Sequence, residues 1–175
     1  MNTQVKPTTK ELLMHNDDFI VSKTNIKGQI TYANSTFMRY SGYKQSKTYL
    51  HQHKLVRHPD MPRSIFHLLW QTIKSGKEFN GYVKNMHQDG SFYWVFANVT
   101  PSFSMNGNRD IIGYYSVRRK PKAEALSVIK PLYKKMLQAE QQANNIKAAI
   151  AAGTQVLQHV LEQQEMAYDQ FVLSL

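Results

Sequence analysis

The order of strand-like and helix-like segments limits the fold of this chain more than any other feature. Two β-rich runs, FIVSKT and QITYAN, are separated by the turn residues NIKG and predict a hairpin over residues 19–33. Three further strand patterns follow only after a helical insertion: EFNGYVKNMH, SFYWVFANVTPSF and IIGYYSVRR. The order β–β–α–α–β–β–β predicts an α+β domain in which a five-stranded antiparallel sheet and its flanking helices can enclose a cavity.

The inserted segment contains two helix patterns. Asn34 and Ser35 can cap a helix over STFMRYSGY that ends at Gly42. Residues 44–54, which are rich in Lys, Gln and His, are expected to form a loop. Pro62 suits the first turn of a second helix that ends at Gly76. The later strands are joined by the predicted hairpin turns QDG and MNGNRD.

After Pro121 the pattern becomes helical throughout. Apolar or small residues recur in steps of three and four, which predicts a long C-terminal helix with a heptad seam. Pro131 is expected to open or kink this helix near its start. Small and polar members weaken this seam. A weak seam suits a signalling helix that shifts easily, but a plain dimerisation helix is an equally open interpretation. The seam residues are Ile129, Leu132, Met136, Ala139, Ala143, Ile146, Ile150, Gly153, Leu157, Val160, Gln164, Ala167 and Phe171.

Composition excludes several classes of chemistry. The chain has no cysteine, so disulfides, zinc–thiolate sites, thiol nucleophiles and cysteinyl adducts are excluded. No apolar run is long enough to span a membrane and no signal-peptide core is present, so we expect a cytoplasmic chain, with any membrane association supplied by parts outside it. The net charge of +10 suits an anionic ligand, but the aromatic residues are not interleaved with the basic ones, which argues against nucleic-acid binding.

The segment LVRHPDMPRSIF places a cation pair beside an acid in a stretch stiffened by two prolines. Arg57 can offer a two-pronged hydrogen bond to a phosphate, His58 can donate one, and Asp60 can orient Arg57 or accept from a ribose or an adenine. The prolines reduce the order that is lost when a ligand binds. The alternative is a local ion pair between Arg57 and Asp60 that only fixes a turn.

Several motifs carry a resemblance to a known family. The strand order, DGSFYWV and IIGYYSVRR resemble a PAS domain. TYANSTFMRYSGY, VRHPDMP, GYVKN and GYYSVRR, in this order, resemble more narrowly the sensor domain of bacterial aerotaxis receptors over roughly residues 18–135. The resulting division is an arm at 1–17, a PAS sensor domain at 18–120 and a helical output segment at 121–175.

The resemblance implies a function and a set of ligand-binding residues. It implies noncovalently bound FAD that reports redox state or oxygen, a homodimer through the C-terminal helix, and output to a chemotaxis module in the same chain or to its kinase complex. It also places Arg57, His58, Asp60, Asn34 and Phe66 at FAD-supporting positions.

The flavin ring needs an apolar slot with amide groups at its edge. Asn85 lies where light-sensing flavin PAS domains hold a ring-reading asparagine, whereas their second asparagine falls at Val95 here, a departure for which Asn98 can substitute only if it faces the pocket. Phe79 stands where the family often has tryptophan and still offers a stacking face. Trp70 and Trp94 are expected in the core, and Trp94 is the better candidate for a pocket wall.

Two alternatives remain beside the flavin reading. PAS pockets can hold haem on one axial histidine, for which His58 or His67 is available. A ligand-free PAS module that only dimerises is the second alternative. No nucleophile–base pair or phosphate-binding glycine loop stands out, so we expect no enzyme, and carboxylates at ligand spacing are too sparse to predict a metal site.

Overall fold

The computed structural model describes residues 5–105 and 108–175. It contains the five expected strands in one antiparallel sheet of order β2-β1-β5-β4-β3. This confirms the predicted α+β PAS fold. Residues 106 and 107 of the predicted turn MNGNRD lie outside the described part of the chain. The strands are β1 Ile20–Asn25, β2 Ile30–Ala33, β3 Phe79–Met86, β4 Phe92–Phe103 and β5 Ile111–Arg119.

The first helix, α1 (Ser35–Ser41), begins and ends where the sequence predicts. The Asn34 Oδ1 atom accepts the Phe37 N–H at 2.9 Å and thereby caps the helix. At the other end Gly42 adopts a φ of 74°, and its N–H donates to the Met38 carbonyl. The polar cap and the left-handed glycine therefore fix both ends of α1.

Residues 44–54 are more ordered than the predicted loop. They contain a short helix α2 (Gln45–Thr48) and the start of a 3₁₀ turn (His53–Val56). Backbone hydrogen bonds between Ile30 and this segment hold it against the sheet, and such contacts leave no apolar period in the sequence. The second expected helix is α3 (Arg63–Lys74), which follows Pro62 directly.

The central strands are covered on both faces, as their continuous apolar pattern predicts. Side chains of one face, including Val83, point toward α3 and a cavity beneath it. The opposite face is covered by α4 (Ala123–Gln141), whose Tyr133 hydroxyl donates to the Tyr82 carbonyl at 2.9 Å. We call these the inner and outer faces of the sheet.

The C-terminal segment is helical, but the prediction of one continuous helix is wrong. Three helices are present: α4, α5 (Ile146–Gln163) and α6 (Tyr168–Ser174). The chain turns after α4, and Asn145 caps α5 by accepting the Ala148 N–H at 2.9 Å. Pro131 neither opens α4 nor ends it, because the helix begins at Ala123 and continues past it.

Most of the large apolar residues of the seam pack inside this chain, whereas Ile146 is exposed. Helix α5 packs against α4 and α3, while α6 packs on the edge strand β3, where Tyr168 stacks on Phe79. A heptad pattern does not distinguish a seam between two chains from one folded back on its own domain. The buried members of the seam are Ile129, Leu132, Met136, Gly153, Leu157 and Phe171.

The amino-terminal arm also lies on the domain. Thr8 and Leu12 donate backbone hydrogen bonds to the Gly90 and Phe92 carbonyls at 2.8 and 2.7 Å, and Met14 is buried. Among the helices of the described residues, none has the length and apolarity that crossing a bilayer requires.

The helical hairpin can be distinguished from a continuous helix by distance. Because the chain has no cysteine, two cysteine substitutions, at the exposed Lys135 and Gln158, place one spin label at each position of the same chain. Side-by-side helices predict a label separation under about 25 Å, whereas 23 residues of unbroken helix would separate them by about 35 Å. Pulsed electron paramagnetic resonance measures this distance, and a dominant long distance within one chain would contradict the hairpin.

Candidate functional site

A cavity of about 260 Å³ lies between the inner face of the sheet and α3. One wall is formed by α3 and the other by strands β1, β5, β4 and β3, and most of the lining surface is apolar. The Trp70 ring forms part of the wall and meets Tyr114 edge to face, with 5.5 Å between the ring centroids. The apolar lining includes Phe66, Leu69, Trp70, Ile73, Val83, Ala97 and Val99.

The polar end of this cavity contains a buried arginine. Arg118 is only 5% exposed, and its Nη2 donates to the Ser22 Oγ at 3.1 Å and to the His53 Nε2 at 2.7 Å. Its Nη1 has no hydrogen-bond partner among the residues that the structure describes, and no salt bridge to it is formed within them. Arg118 therefore brings an uncompensated positive charge and a free donor into the cavity.

A second buried polar atom lies two residues away on the same face of β5. The Ser116 Oγ lines the cavity and likewise has no partner within the described part of the chain. Successive side chains of a strand alternate between faces, so Ser116 and Arg118 point inward together while Arg119 points outward over the Phe96 ring. Buried polar groups are normally hydrogen-bonded. These two atoms fit a ligand that offers hydrogen-bond acceptors.

The charges of this end follow from burial. Burial lowers the pKa of Arg118 to about 10, so the guanidinium stays charged at neutral pH. Burial and then the charge of Arg118 lower the pKa of His53 to about 3. His53 is therefore neutral and can accept the Arg118 hydrogen bond at Nε2. The site thus favours an electron-rich or anionic group.

Three of the sequence-predicted residues line the cavity: Arg57, Phe66 and Asn85. The Arg57 guanidinium lies 4.1 Å from the centroid of the Phe66 ring, and its Nη2 donates to the Met61 carbonyl at 3.2 Å. Asn85 is 4% exposed, and its backbone forms a β-bridge with Arg57. The segment RHPDMP and strand β3 therefore meet at one corner of the cavity.

His58 and Asp60 lie beside this corner without lining the cavity. His58 is buried edge-on against Phe92, and its Nδ1 accepts the Asp60 N–H at 3.1 Å. The Asp60 side chain is 62% exposed and pairs with the Lys84 Nζ at 2.7 Å. The local ion pair between Arg57 and Asp60 is thus replaced by a pair between Asp60 and Lys84.

Asn34 and Asn98 make structural hydrogen bonds. Asn34 caps α1, and its Nδ2 also donates to the Phe19 carbonyl at 2.8 Å. Asn98 donates to the Asn80 Oδ1 at 2.9 Å and to the Glu78 Oε2 at 3.1 Å. Asn98 pairs with Asn80 across the strands and does not line the cavity, so it does not supply the second ring-reading amide.

Phe79 and Trp94 also lie outside the cavity lining. Phe79 is fully buried and stacks on Tyr168 of α6, while Trp94 faces outward with its ring 6.2 Å from that of Tyr133. Trp70, and not Trp94, contributes to the wall of this cavity, whereas Trp94 lines a second pocket on the outer face with Asp60, Lys84 and Tyr133. Strand register decides this, because Trp94 pairs with Lys84 and shares its outer face.

The polar group of Arg118, Ser116, Ser22 and His53 was not predicted from the sequence. Arg118 and Arg119 end a strand pattern, which reads as a solvated basic strand end. The available signal was the alternation in YYSVRR, which puts Ser116 and Arg118 on the face of Tyr114. The contacts of Arg118 with Ser22 and His53 join distant parts of the chain and left no signal in it.

The two histidines considered as haem ligands do not face the cavity. His58 is buried beside it, and His67 lies on the exposed side of α3. Within residues 5–105 and 108–175, no three His, Asp or Glu side chains are grouped as metal ligands would be.

The buried histidines predict how stability depends on pH. The pKa of His53 is lowered to about 3 and that of His58 to about 4, in both cases mainly by burial. Unfolded histidine binds a proton near pH 6.5, so the unfolded chain binds more protons below that pH and the free energy of unfolding falls on acidification. The slope is at most about 1.4 kcal/mol per pH unit for each histidine.

Urea unfolding between pH 7 and pH 4.5 measures this slope. We expect His53→Gln to flatten it, because it removes a site that binds a proton in the unfolded chain but not in the folded one. We expect the exposed control His51→Gln to leave the slope unchanged. Equal slopes in His53→Gln and the unsubstituted chain would contradict the neutral, buried state of His53.

Comparison with known proteins agrees with the fold. The family model described as PAS fold matches residues 30–115. The light-oxygen-voltage domain of a solved structure aligns with a TM-score of 0.56 and 18% identity, covering 65% of this chain and 83% of that one. A PAS domain from Colwellia psychrerythraea aligns with a TM-score of 0.54 and 16% identity over 59% of this chain and 86% of that one.

Sequence relatives narrow this placement. The aerotaxis receptor of Escherichia coli (strain K12) is 37% identical over 134 residues, which are 77% of this chain and 26% of the receptor. The nitrogen fixation regulatory protein of Klebsiella pneumoniae is 26% identical over 148 residues, 85% of this chain and 29% of that protein. The chain thus spans less than a third of the length of these relatives. Residues 30–115 match the PAS fold family, and the chain is similar to the aerotaxis receptor over 134 residues.

Proposed function

We propose that this chain is a PAS sensor that binds FAD noncovalently in the cavity beneath α3 and reports redox state or oxygen to a chemotaxis module. One observation carries the proposal: Arg118 Nη1 and Ser116 Oγ, both without a partner among the described residues, belong to side chains that line the same mainly apolar cavity. Such a site suits a flat ligand that has hydrogen-bond acceptor atoms at one edge. The flavin ring, with its carbonyl oxygens and ring nitrogens, has that character.

The residues present fit the ring and place limits on the remainder of FAD. A volume of 260 Å³ lies just below the usual range for ligand pockets, which is about 300–1,000 Å³. The cavity therefore suits the ring, and the diphosphate would lie toward the lining cations Arg57 and Lys54. Lys54 is exposed and Arg57 is partly buried, so both side chains are accessible to a phosphate at the surface of the domain.

The chain's own residues suggest how the site would respond to a ligand. FAD, when bound, supplies reversible uptake of electrons. The Arg118 guanidinium stays charged and can donate from Nη1 to an acceptor that becomes more negative, while Asn85 can read an edge of the ring from β3. Because the chain has no cysteine, a cysteinyl adduct cannot form, and a bound flavin would act by electron transfer.

The relatives support both parts of this proposal. The aerotaxis receptor suggests output to chemotaxis, and a similar solved light-oxygen-voltage domain was studied with a flavin analogue. The chain spans about a quarter of the receptor, so the module it signals to is part of the proposal. Homodimer formation stays a prediction, and because most of the large apolar seam residues are packed inside the chain, a dimer through the full seam would need an opened hairpin.

The alternatives from the sequence have less support in the geometry. Haem would need an axial histidine facing the cavity, and His58 and His67 do not line it. His53 does line it, but its Nε2 is engaged by Arg118. A ligand-free interaction module gives no reason for an unpaired buried cation at a cavity wall, because burying such a charge is costly.

Flavin retention tests the proposal with two neighbouring arginines. Arg118→Met should weaken flavin binding by about tenfold or more, because a hydrogen bond from a charged group, about 1.5–3 kcal/mol, is lost at the ring edge. It should leave the ligand-free fold intact, since no acidic partner among the described residues is orphaned. Arg119→Met is the matched control and should retain flavin, because Arg119 faces outward over Phe96. Visible absorbance of the purified chain and chromatography of the released cofactor measure retention.

Arg57→Ala provides a second arm, at the corner where RHPDMP meets β3. It should also lose flavin while circular dichroism stays unchanged, because the cation nearest the proposed diphosphate position is removed. Equal flavin content in Arg118→Met and Arg119→Met would contradict the proposed site. A Soret band in the unsubstituted chain would replace FAD with haem, and a colourless chain that takes up no added FAD would favour the interaction module.

A further inference from the structure

Glu140, near the end of α4, is an acid that is only 8% exposed. Its carboxylate accepts three hydrogen bonds from the first residues of α3. The Arg63 N–H donates to Oε2 at 2.8 Å, and the Ser64 N–H and hydroxyl donate to Oε1 at 2.9 and 2.6 Å. Pro62, which precedes α3, provides no side-chain cap. The cap of α3 therefore comes from a helix more than 70 residues further along the chain.

Helix α5 closes the same junction through Gly153. A Cβ atom at this position would lie 2.5 Å from both the Glu140 Oε1 and the Ser64 Oγ. Such distances are far inside van der Waals contact, so a side chain here would displace the carboxylate or the helix. Three helices thus meet at one point, and the small seam residue Gly153 is explained by close approach within the chain.

The capped helix is also the helical wall of the cavity. Phe66 and Trp70 follow Ser64 on α3 and line the cavity. Phe66 in turn carries the Arg57 guanidinium on its face. Burial and the charge of Arg63 lower the pKa of Arg57, while the charge of Glu140 raises it. Glu140 therefore acts on the cavity corner both through the position of α3 and through its charge.

We propose that Glu140 is a positioning residue that couples the ligand cavity to the docking of the α4–α5 hairpin. A filled cavity holds α3 and Arg57 in place and so favours the docked hairpin. By reciprocity, a displaced hairpin releases the amino end of α3 and weakens ligand binding. The link to ligand rests on the proposed FAD site, whereas the junction itself rests only on contacts within the chain.

The test uses the full 175-residue chain with Glu140→Ala, Glu140→Gln and the exposed control Glu162→Ala. In ligand-free protein, hydrogen exchange followed by mass spectrometry should show about five- to tenfold faster exchange in Glu140→Ala, both in the first turn of α3 and along α5, the range that corresponds to loss of one helix cap. Glu140→Gln should show a smaller rise, and Glu162→Ala none. The rise along α5 matters most, because a purely local cap would not change it.

Gly153→Ala separates geometry from charge. It keeps the carboxylate but crowds it, so we expect it to reproduce the faster exchange at the start of α3. If Glu140→Ala is too unstable to purify, Ser64→Ala, which removes a single hydrogen bond, gives the same comparison in milder form. Exchange along α5 that is unchanged in every stable junction variant would overturn the proposal.

Flavin release provides the ligand arm. In flavin-loaded protein, Glu140→Ala should release FAD about five- to tenfold faster than Glu162→Ala, and added FAD should slow exchange along α5 in the unsubstituted chain. If the chain binds no flavin, the proposed function fails while the exchange arm still decides the junction. If flavin binds and its release rate is the same in both variants, the coupling is contradicted and the FAD site stands.

Discussion

An arginine held inside the domain without an acid beside it is the constraint on which this account depends. Ser22 and His53 satisfy one nitrogen of Arg118, and the other has no partner within the described residues. Burying an unpaired charge is costly, so a site that retains one needs a compensating contact. A ligand with electron-rich atoms provides that contact, and the apolar walls around Arg118 give such a ligand a flat slot.

The sheet and the helices around it explain how this charge can be kept. Strand β5 lies at the centre of the sheet, so Arg118 and Ser116 are flanked by paired strands and face the cavity directly. Helix α3 forms the opposite wall and is fixed at its start by Glu140 from α4. The C-terminal helices cover the outer face, the edge strand and one end of α3. The same segment that closes the domain is therefore placed to sense movement of the cavity wall.

Much of the fold was predictable because it depends on local patterns. Strand alternation, the Asn34 cap and the glycine at the end of α1 determine elements that appear where expected. The turn between α4 and α5 was not predictable from the heptad pattern, because that pattern continues through residues 142–145. The local signal there is Asn145, which caps the start of α5. An isolated seam also reads the same whether its partner is a second chain or the same domain.

The candidate site was predictable only in part. Arg57, Phe66 and Asn85 belong to recognisable motifs, and all three line the cavity. The register of β4, by contrast, places Trp94 on the outer face, so that Trp70 lines the cavity instead. The network of Arg118 joins residues from β1, the 3₁₀ turn and β5. Contacts of that kind arise from the three-dimensional fold and have no spacing in the sequence that would indicate them.

A crystal structure of the chain grown in the presence of FAD would show whether Arg118 contacts the flavin. We expect a flavin ring beneath α3 with one of its acceptor atoms about 2.7–3.2 Å from the Arg118 Nη1. A ring bound elsewhere, or a cavity closed by its own side chains with Arg118 paired to a carboxylate of the chain, would contradict it.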